Sequence, residues 1–273
     1  MKKKIAIIFL TYNSQRIIGK SILAAKKISE NIIIIDDYST DKTKQICKNL
    51  NCRIYERKFK NYSDQRNWSI KKFNKFKWQL HLDADEVLDT EAHRSIIKVL
   101  NEPLDHKKTF LLKRKNYFLG SKLNYSGLNP WHLRLFQSGY AKCENRAYDQ
   151  HFISRSSMFK LKGYMLDFDD ISLKKWKIKH IKWAKMEARD HEEKKIKNNF
   201  LLKKDPRFKS REAKKLYYYF PPFLRAILYF LYRYFIKLGF LDGKIGFLFC
   251  FYQCLWFRFL VDFNIFKLKE IEK

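Results

Sequence analysis

HLDADEVLDT, residues 81–90, sets Asp83, Asp85 and Glu86 within four positions, directly behind the apolar run Trp78 to Leu82. Carboxylates crowded in this way repel one another unless something positive neutralises them. Asp83 and Asp85, at i and i+2, can address one hard divalent ion through a turn, directly and through water. Mg²⁺ and Mn²⁺ take one or two protein carboxylates together with ligand phosphates. An ion so held neutralises a diphosphate as its bond to carbon breaks. The plain alternative is a solvated acidic turn that caps a helix. The apolar strand ending at the acids favours the metal reading.

Asp36 and Asp37 form a second acidic pair, at the end of NIIIID. A carboxylate there can accept hydrogen bonds from a nucleoside base or ribose. Asp37 or Ser39 can also cap the helix that follows, and the two uses are compatible. Neither GxGxxG nor GxxxxGK[ST] occurs, which weighs against dinucleotide and P-loop chemistry. His180, Trp183, Glu187 and His191 recur at helical spacing but not as HExxH. They read as a packed or acceptor-facing helix stripe rather than a zinc site.

Elements must hold these side chains in place. Lys4 to Thr11 is apolar and β-branched, as expected of a parallel strand covered on both faces. Tyr12-Asn13-Ser14 breaks it, and Ser14 is placed to cap a helix from Gln15 to Lys27. Asn31 to Asp36 is a second buried strand, and the turn Asp37 to Asp41 caps a helix reaching Leu50. Arg53 to Tyr55 is a brief strand, Tyr62 to Phe73 a helix, and Trp78 to Leu82 the fourth strand. Such alternation predicts a doubly wound sheet whose ligands bind at the carboxyl ends of the strands. Asn13, Asp36, Asp37, Asp83 and Asp85 all fall at those ends. Beyond Leu100 the pattern loosens: Thr109 to Lys113 and Trp131 to Phe136 read as strands, and Ser172 to about Lys204 as a charged helix.

FLTYNS, IIIIDDYSTD, YSDQRNWSI and WQLHLDADE, in that order and spacing, resemble the nucleotide-binding half of family 2 glycosyltransferases. RKNYFLG, WHLRLF, ENRAYDQHF and RYFIKLGFLDGKIGFLF further resemble the subgroup that builds lipopolysaccharide or lipooligosaccharide cores. The resemblance implies a GT-A fold, an α/β architecture with a Rossmann-like, mostly parallel sheet flanked by helices, here with a C-terminal aromatic and basic helical extension. It implies a nucleotide-sugar-binding half at residues 1–100, an acceptor-binding part at 101–170 and the extension at 171–273. It also implies an inverting transfer from a nucleotide-sugar donor, expected to be a UDP-hexose, to a glycan or glycolipid acceptor, with Mn²⁺ or Mg²⁺ as cofactor.

Position by position, the resemblance implies that Thr11, Asn13, Asp36 and Asp37 line the nucleoside pocket. Arg66 approaches the diphosphate or base, and Asp83 and Asp85 address metal and diphosphate. Tyr38 stands where the pattern has a small residue. An inverting transfer needs a general base for the acceptor hydroxyl, and family members place an acid well downstream of the DxD. Asp149 in RAYDQHF is the candidate, with Glu144, Asp169 and His151 as rivals. Arg134 in WHLRLF could meet an anionic ligand, or form a surface pair.

The formal charge is 58 − 28 = +30 over 273 residues, which suits a polyanionic partner such as anionic lipid or nucleic acid. About 20 of the last 67 residues are aromatic. Their longest uncharged run, Ile245 to Phe257, is short of a spanning helix, and aromatics interleaved with Lys and Arg suit helices lying in a lipid headgroup region. The competing reading is a helical hairpin packed on the sheet, or a dimer interface; no oligomeric state follows from the sequence. A nucleic-acid binder leaves the acidic strand ends unexplained, and no helix-turn-helix, RNP or zinc signature supports it. A nucleotidyltransferase would want a glycine-rich basic loop where TYNSQR stands. Five scattered cysteines and an N-terminus without a cleavage site fit a cytoplasmic protein attached peripherally to the inner membrane.

Overall fold

Apolar residues on both faces of one strand decide the centre of the fold. In the computed structural model, which describes residues 5–102, 108–145, 150–169, 172–196 and 208–271, that strand is β1 (Ile5–Thr11). The chain continues as α1 (Ile18–Lys26), β2 (Ile32–Asp36), α2 (Thr43–Asn49), β3 (Arg53–Glu56), α3 (Tyr62–Lys72), β4 (Trp78–Asp83), β5 (Glu86–Leu88) and α4 (Thr90–Asn101). It then runs β6 (Thr109–Phe118), β7 (Ser121–Lys122), β8 (Trp131–Gln137), β9 (Lys142–Cys143), β10 (Phe152–Ile153) and β11 (Met158–Asp169). The helices α5 (Leu173–Ile196), α6 (Phe208–Tyr219), α7 (Leu224–Leu231), α8 (Gly243–Phe249) and α9 (Phe257–Ile271) complete the described elements.

Two compact units result. The first takes the described residues of Met1–Lys115, Asn129–Asn145 and Gln150–Phe168. Ile5, Ile7 and Phe9 face one layer with Ile18, Ile22 and Leu80, while Ala6 and Ile8 face the other with Ile33, Ile35 and Phe73. Fully burying each large aliphatic side chain stabilises by about 1.5–3 kcal/mol, so β1 is held from both sides. The sheet order β3-β2-β1-β4-β8-β6-β11-β5 is parallel through its first four strands. It turns antiparallel at β8, which lies against β4 with Leu80 opposite Leu135. Beyond β4 the neighbours are antiparallel, β8 with β4 and β6, and β11 with β5, so the sheet is mixed rather than doubly wound throughout. This is the GT-A-like layering that the motifs implied.

Local capping differs in places from the sequence reading. Ser14 does not cap α1 with its side chain: its carbonyl accepts Ile17 and Ile18 N–H (3.1 and 3.0 Å), and its hydroxyl donates to the Tyr12 carbonyl. The first turn of α2 is held by Asp41, whose Oδ1 accepts Thr43 N–H at 2.9 Å. Asn61 and Asp89 cap α3 and α4 through Asp64 N–H and Ala92 N–H, each at 2.8 Å. All five cysteines are free, and burial pushes the Cys47 thiol up to about 12, which makes it unreactive.

The second unit takes the described residues of Asn116–Leu128 and Asp169–Lys273. Ala184 and Ala188 of α5 pack on Phe257, Val261 and Ile265 of α9. His180 stacks on Trp176, and its ring nitrogens bond the Trp176 carbonyl (2.9 Å) and Gln253 (3.1 Å). Glu187 accepts from Arg258 at 3.0 Å and Lys214 at 2.6 Å. The stripe read from the sequence is therefore a packed one at these two residues. A helical run from Gly239 to Glu270 is long and apolar enough to cross a membrane, although 39% of its most apolar stretch is buried inside the chain.

Gly163 in β11 has φ +83°, and a Cβ there would overlap the Ala92 backbone nitrogen and lie 2.6 Å from Asp89 Oδ1. Gly163→Ala combines left-handed strain with overpacking at the start of α4. It is expected to cost about 2–4 kcal/mol, read as a lowered urea midpoint; an unchanged midpoint contradicts the packing.

Candidate active site

Backbone register brings the candidates together before any side chain acts. Thr11 pairs with Asp36 across β1–β2, and Leu10 with Asp83 across β1–β4. The carboxyl ends of three parallel strands therefore lie side by side. Their outgoing loops carry Asn13, Asp37 and Asp85.

Asp36 is wholly buried. Thr11 Oγ1 (2.7 Å) and Ser39 Oγ (2.6 Å) donate to its Oδ2, and Ser39 N–H (2.7 Å) to its Oδ1. Asp36 thus bonds the end of β1 and the loop after β2. Asn13 tethers the loop after β1 to that one: its N–H donates to Ser39 Oγ and its Oδ1 accepts Thr40 N–H, both at 2.9 Å. Asp37 does not cap α2 but accepts Phe59 N–H at 2.8 Å, tying in a third loop. Asn13 and Tyr38 both have left-handed backbone, φ 46° and 52°. That conformation is the physical reason a small residue suits the Tyr38 position. The Tyr38 side chain instead stands out into solvent, as does Tyr12.

The acidic cluster is neutralised from within the chain. Arg66, on α3, bonds the Leu82 carbonyl at 3.0 Å and forms an ion pair with Asp83 Oδ1. Arg134, on β8, donates to Asp83 Oδ2 at 3.0 Å and to Glu86 Oε1 at 2.6 Å. Both arginines are buried, so Arg134 is not a surface pair. Two unit charges 4 Å apart at an effective dielectric near 20 interact by about 4 kcal/mol, enough to make this pairing decide protonation. Burial alone would raise the Asp83 carboxyl, but Arg134 and Arg66 overcome it and hold it well below the usual range. Glu86, wholly buried, is pushed up to about 7 by burial against the pull of Arg134.

His81 sits beside this network and stays neutral. Burial, then the nearby Arg66 and Arg134, hold its pKa well below the usual value. Its Nε2 meets Gln79 Oε1 at 3.0 Å, and its ring stacks on Phe136. The turn that presents Asp85 is pinned on three sides. Ser21 Oγ donates to the Ala84 carbonyl (2.7 Å), Asp83 N–H to Glu86 Oε2 (2.8 Å), and Phe168 N–H to the Asp85 carbonyl (3.1 Å). Sequence reasoning gave Glu86 no separate role and missed His81 altogether. The available signal was Arg134 alternating with apolar residues on a strand, a cation with no place on a buried face unless an acid waits there.

Among the base candidates, Asp149 lies outside the described residues, and so does the Asp169 side chain. Glu144 Oε1 accepts His151 N–H at 3.1 Å, and the His151 ring lies 5.7 Å from that of His132. Among the described residues no three His, Cys, Asp or Glu side chains converge as a self-contained metal site. A cation shared with ligand phosphates needs only one or two carboxylates, so the donor set fits that kind of site. Asp83, flanked by two guanidiniums, disfavours a dication, which leaves Asp85 as the better ligand of the pair. The buried Arg134 Nε has no hydrogen-bond partner among the described residues, an open donor suited to an anionic oxygen.

Residues 6–159, more than half of the chain, match the model of Glycosyl transferase family 2, and the chain belongs to that family. It is 31% identical over 94 residues to an uncharacterized glycosyltransferase of Rickettsia typhi, covering 34% of this chain and 32% of the relative. A Rickettsia bellii glycosyltransferase is 31% identical over 96 residues, covering 35% and 32%. The chain thus spans about a third of the length of the curated relatives it matches. Glucosyl-3-phosphoglycerate synthase from Mycobacterium tuberculosis, solved with Mn²⁺ and UDP, overlaps 41% of this chain and 43% of its own at 12% identity and TM-score 0.33. A cytidylyltransferase from Leptospira borgpetersenii overlaps 49% and 60% at 13% identity and TM-score 0.36.

An aspartate in an unfolded chain titrates near about 3.9, and Asp83 lies below that when folded. Its ion pairs therefore stabilise the fold in full above about pH 5 and lose that effect as pH falls through 4 and below. Melting curves of the wild type should fall steeply over that acid range, and those of Asp83→Asn less steeply. Equal slopes would contradict the pairing.

Proposed function

We propose that the chain is an inverting glycosyltransferase. It moves a sugar from a nucleoside-diphosphate donor, a UDP-hexose, to a hydroxyl of a lipid-linked or surface glycan such as lipopolysaccharide core. The observation that carries this reading is the alignment of Thr11, Asp36 and Asp83 at three adjacent parallel strand ends, in a chain of this family. Loops cross-linked by Asn13 and Asp37 form a rigid floor for the nucleoside. Preorganisation of this kind lowers the ordering cost of binding.

The acceptor oxygen attacks the anomeric carbon from the face opposite the diphosphate. The carbon–oxygen bond to the β-phosphate breaks, the nucleoside diphosphate departs with that electron pair, and the acceptor proton passes to the base. Asp149 is the base we assign. Asp85, with Asp83 beside it, would hold Mn²⁺ or Mg²⁺, which when bound neutralises charge on the departing diphosphate. Arg66 and Arg134 keep Asp83 ionised and fixed while the pinned turn aims Asp85. Placement in the cytoplasm, on the anionic inner-membrane surface, would bring a lipid-linked acceptor within reach, and a bound enzyme gains effective concentration there.

Calorimetry of UDP binding with and without Mn²⁺, followed by a hydrolysis screen of UDP-sugars, tests the donor. Asp85→Ala is expected to lower metal-dependent turnover by at least about a hundred-fold while leaving the melting midpoint unchanged; retained turnover removes Asp85 from the site. Asp149→Asn should bind UDP normally yet transfer at least about a hundred-fold more slowly. If Asp149→Asn stays active while Asp169→Asn is dead, the base is Asp169.

A further inference from the structure

The second unit leaves a long apolar stripe uncovered. Leu224, Ile227, Leu228, Leu231 and Phe235 follow one another along α7 and the π-helical turn Tyr232–Ile236 that extends it. Each is more than two-fifths exposed. Their spacing, i, i+3, i+4, i+7 and i+11, keeps them on one helix face for roughly 16 Å. The opposite side is spent on packing: Arg225 and Ala226 are buried. A monomeric soluble protein rarely presents a continuous apolar surface of this extent.

Charge around the stripe identifies its partner. Between residues 216 and 266 the exposed charged residues are Lys237 and Lys244, both basic. The acids of that stretch are consumed internally. Asp242 accepts N–H groups of Asn124, Tyr125 and Ser126 at 2.8–3.0 Å, and Asp262 is buried against Arg225 Nε at 2.9 Å. An apolar face edged with Lys, without exposed acid, and rich in Phe and Tyr matches the boundary between acyl chains and anionic headgroups. The nearby run Gly239–Glu270 meets the length for crossing a bilayer. Crossing would strip Arg258 from Glu187 and Asp262 from Arg225, pairs at 3.0 and 2.9 Å, at the cost of leaving buried charges unpaired. That run is the packed layer behind the stripe.

We infer that the face of α7 and its π-helical extension, from Leu224 to Phe235, is a monotopic docking surface that lies in the headgroup region of an anionic phospholipid bilayer. The inference names the segment through which the membrane attachment proposed above occurs, and it rests on that attachment but not on the transferase chemistry. Flotation of the full chain with phosphatidylcholine vesicles, with and without about one-third phosphatidylglycerol, tests it in the absence of donor and acceptor. Wild-type protein should float with the anionic vesicles, and Leu231→Glu and Ile227→Glu should each weaken binding by at least about ten-fold. Lys237→Glu with Lys244→Glu should reduce binding to anionic vesicles alone, and the wild-type difference should shrink in about 0.5 M salt. Donor hydrolysis, measured in parallel, separates a failed enzyme from a failed surface.

Should Leu231→Glu prove unstable, Ile236→Glu, at a position 70% exposed, provides a milder variant on the same turn. Unaltered flotation of all these variants overturns the inference. So does wild-type protein that ignores vesicles and sediments as a dimer which Leu231→Glu dissociates, because the occupant would then be a second copy.

Discussion

A carboxylate clamped between two buried guanidiniums is the interaction on which the site depends. Asp83 ends β4, and Arg66 and Arg134 reach it from α3 and β8. Removing one partner from a buried pair costs about 3–5 kcal/mol, because the charge left behind is unsolvated. The clamp therefore locks strand, helix and returning strand into one geometry. It also answers the crowding of acids at residues 83–86: the first cation they meet is supplied by the protein. The turn that carries Asp85 is pinned separately, through Ser21 and Phe168.

The other strand ends follow the same economy of acceptors. Asp36 is the hub for Thr11 and Ser39, and Asn13 and Asp37 bridge adjacent loops. Loops rich in side-chain to backbone bonds hold conformations that propensity alone would not choose, including left-handed Asn13 and Tyr38. Asp36 and Asp83 hold strand ends, loops and helix together, and Asp85 lies in the turn pinned by Ser21 and Phe168.

In the second unit the same bookkeeping has a different result. Asp242, Asp262 and Glu187 are taken up by backbone N–H groups and arginines, which leaves lysine as the exposed charge beside the apolar face of α7. Internal use of both acids between residues 216 and 266 leaves only lysine exposed among the charged residues of that stretch. Total charge alone would not have located it.

The parallel strands, their helices and the ends that carry candidate residues were legible in sequence, because β-branched runs such as IAIIFL and NIIIID report burial on both faces locally. Family membership was legible because its four motifs are local, within residues 9–86: three each lie in one strand and its loop, and YSDQRNWSI lies in α3. The antiparallel half was less legible, since its long strands, β6 and β11, mix polar and charged residues with apolar ones and lack the continuous β-branched runs of β1 and β2. Sequence by itself determined that acids stand at the end of β4. Only tertiary structure decided that Arg134, 51 positions downstream, neutralises them, because an antiparallel neighbour is chosen by packing between distant segments and leaves no mark in either one.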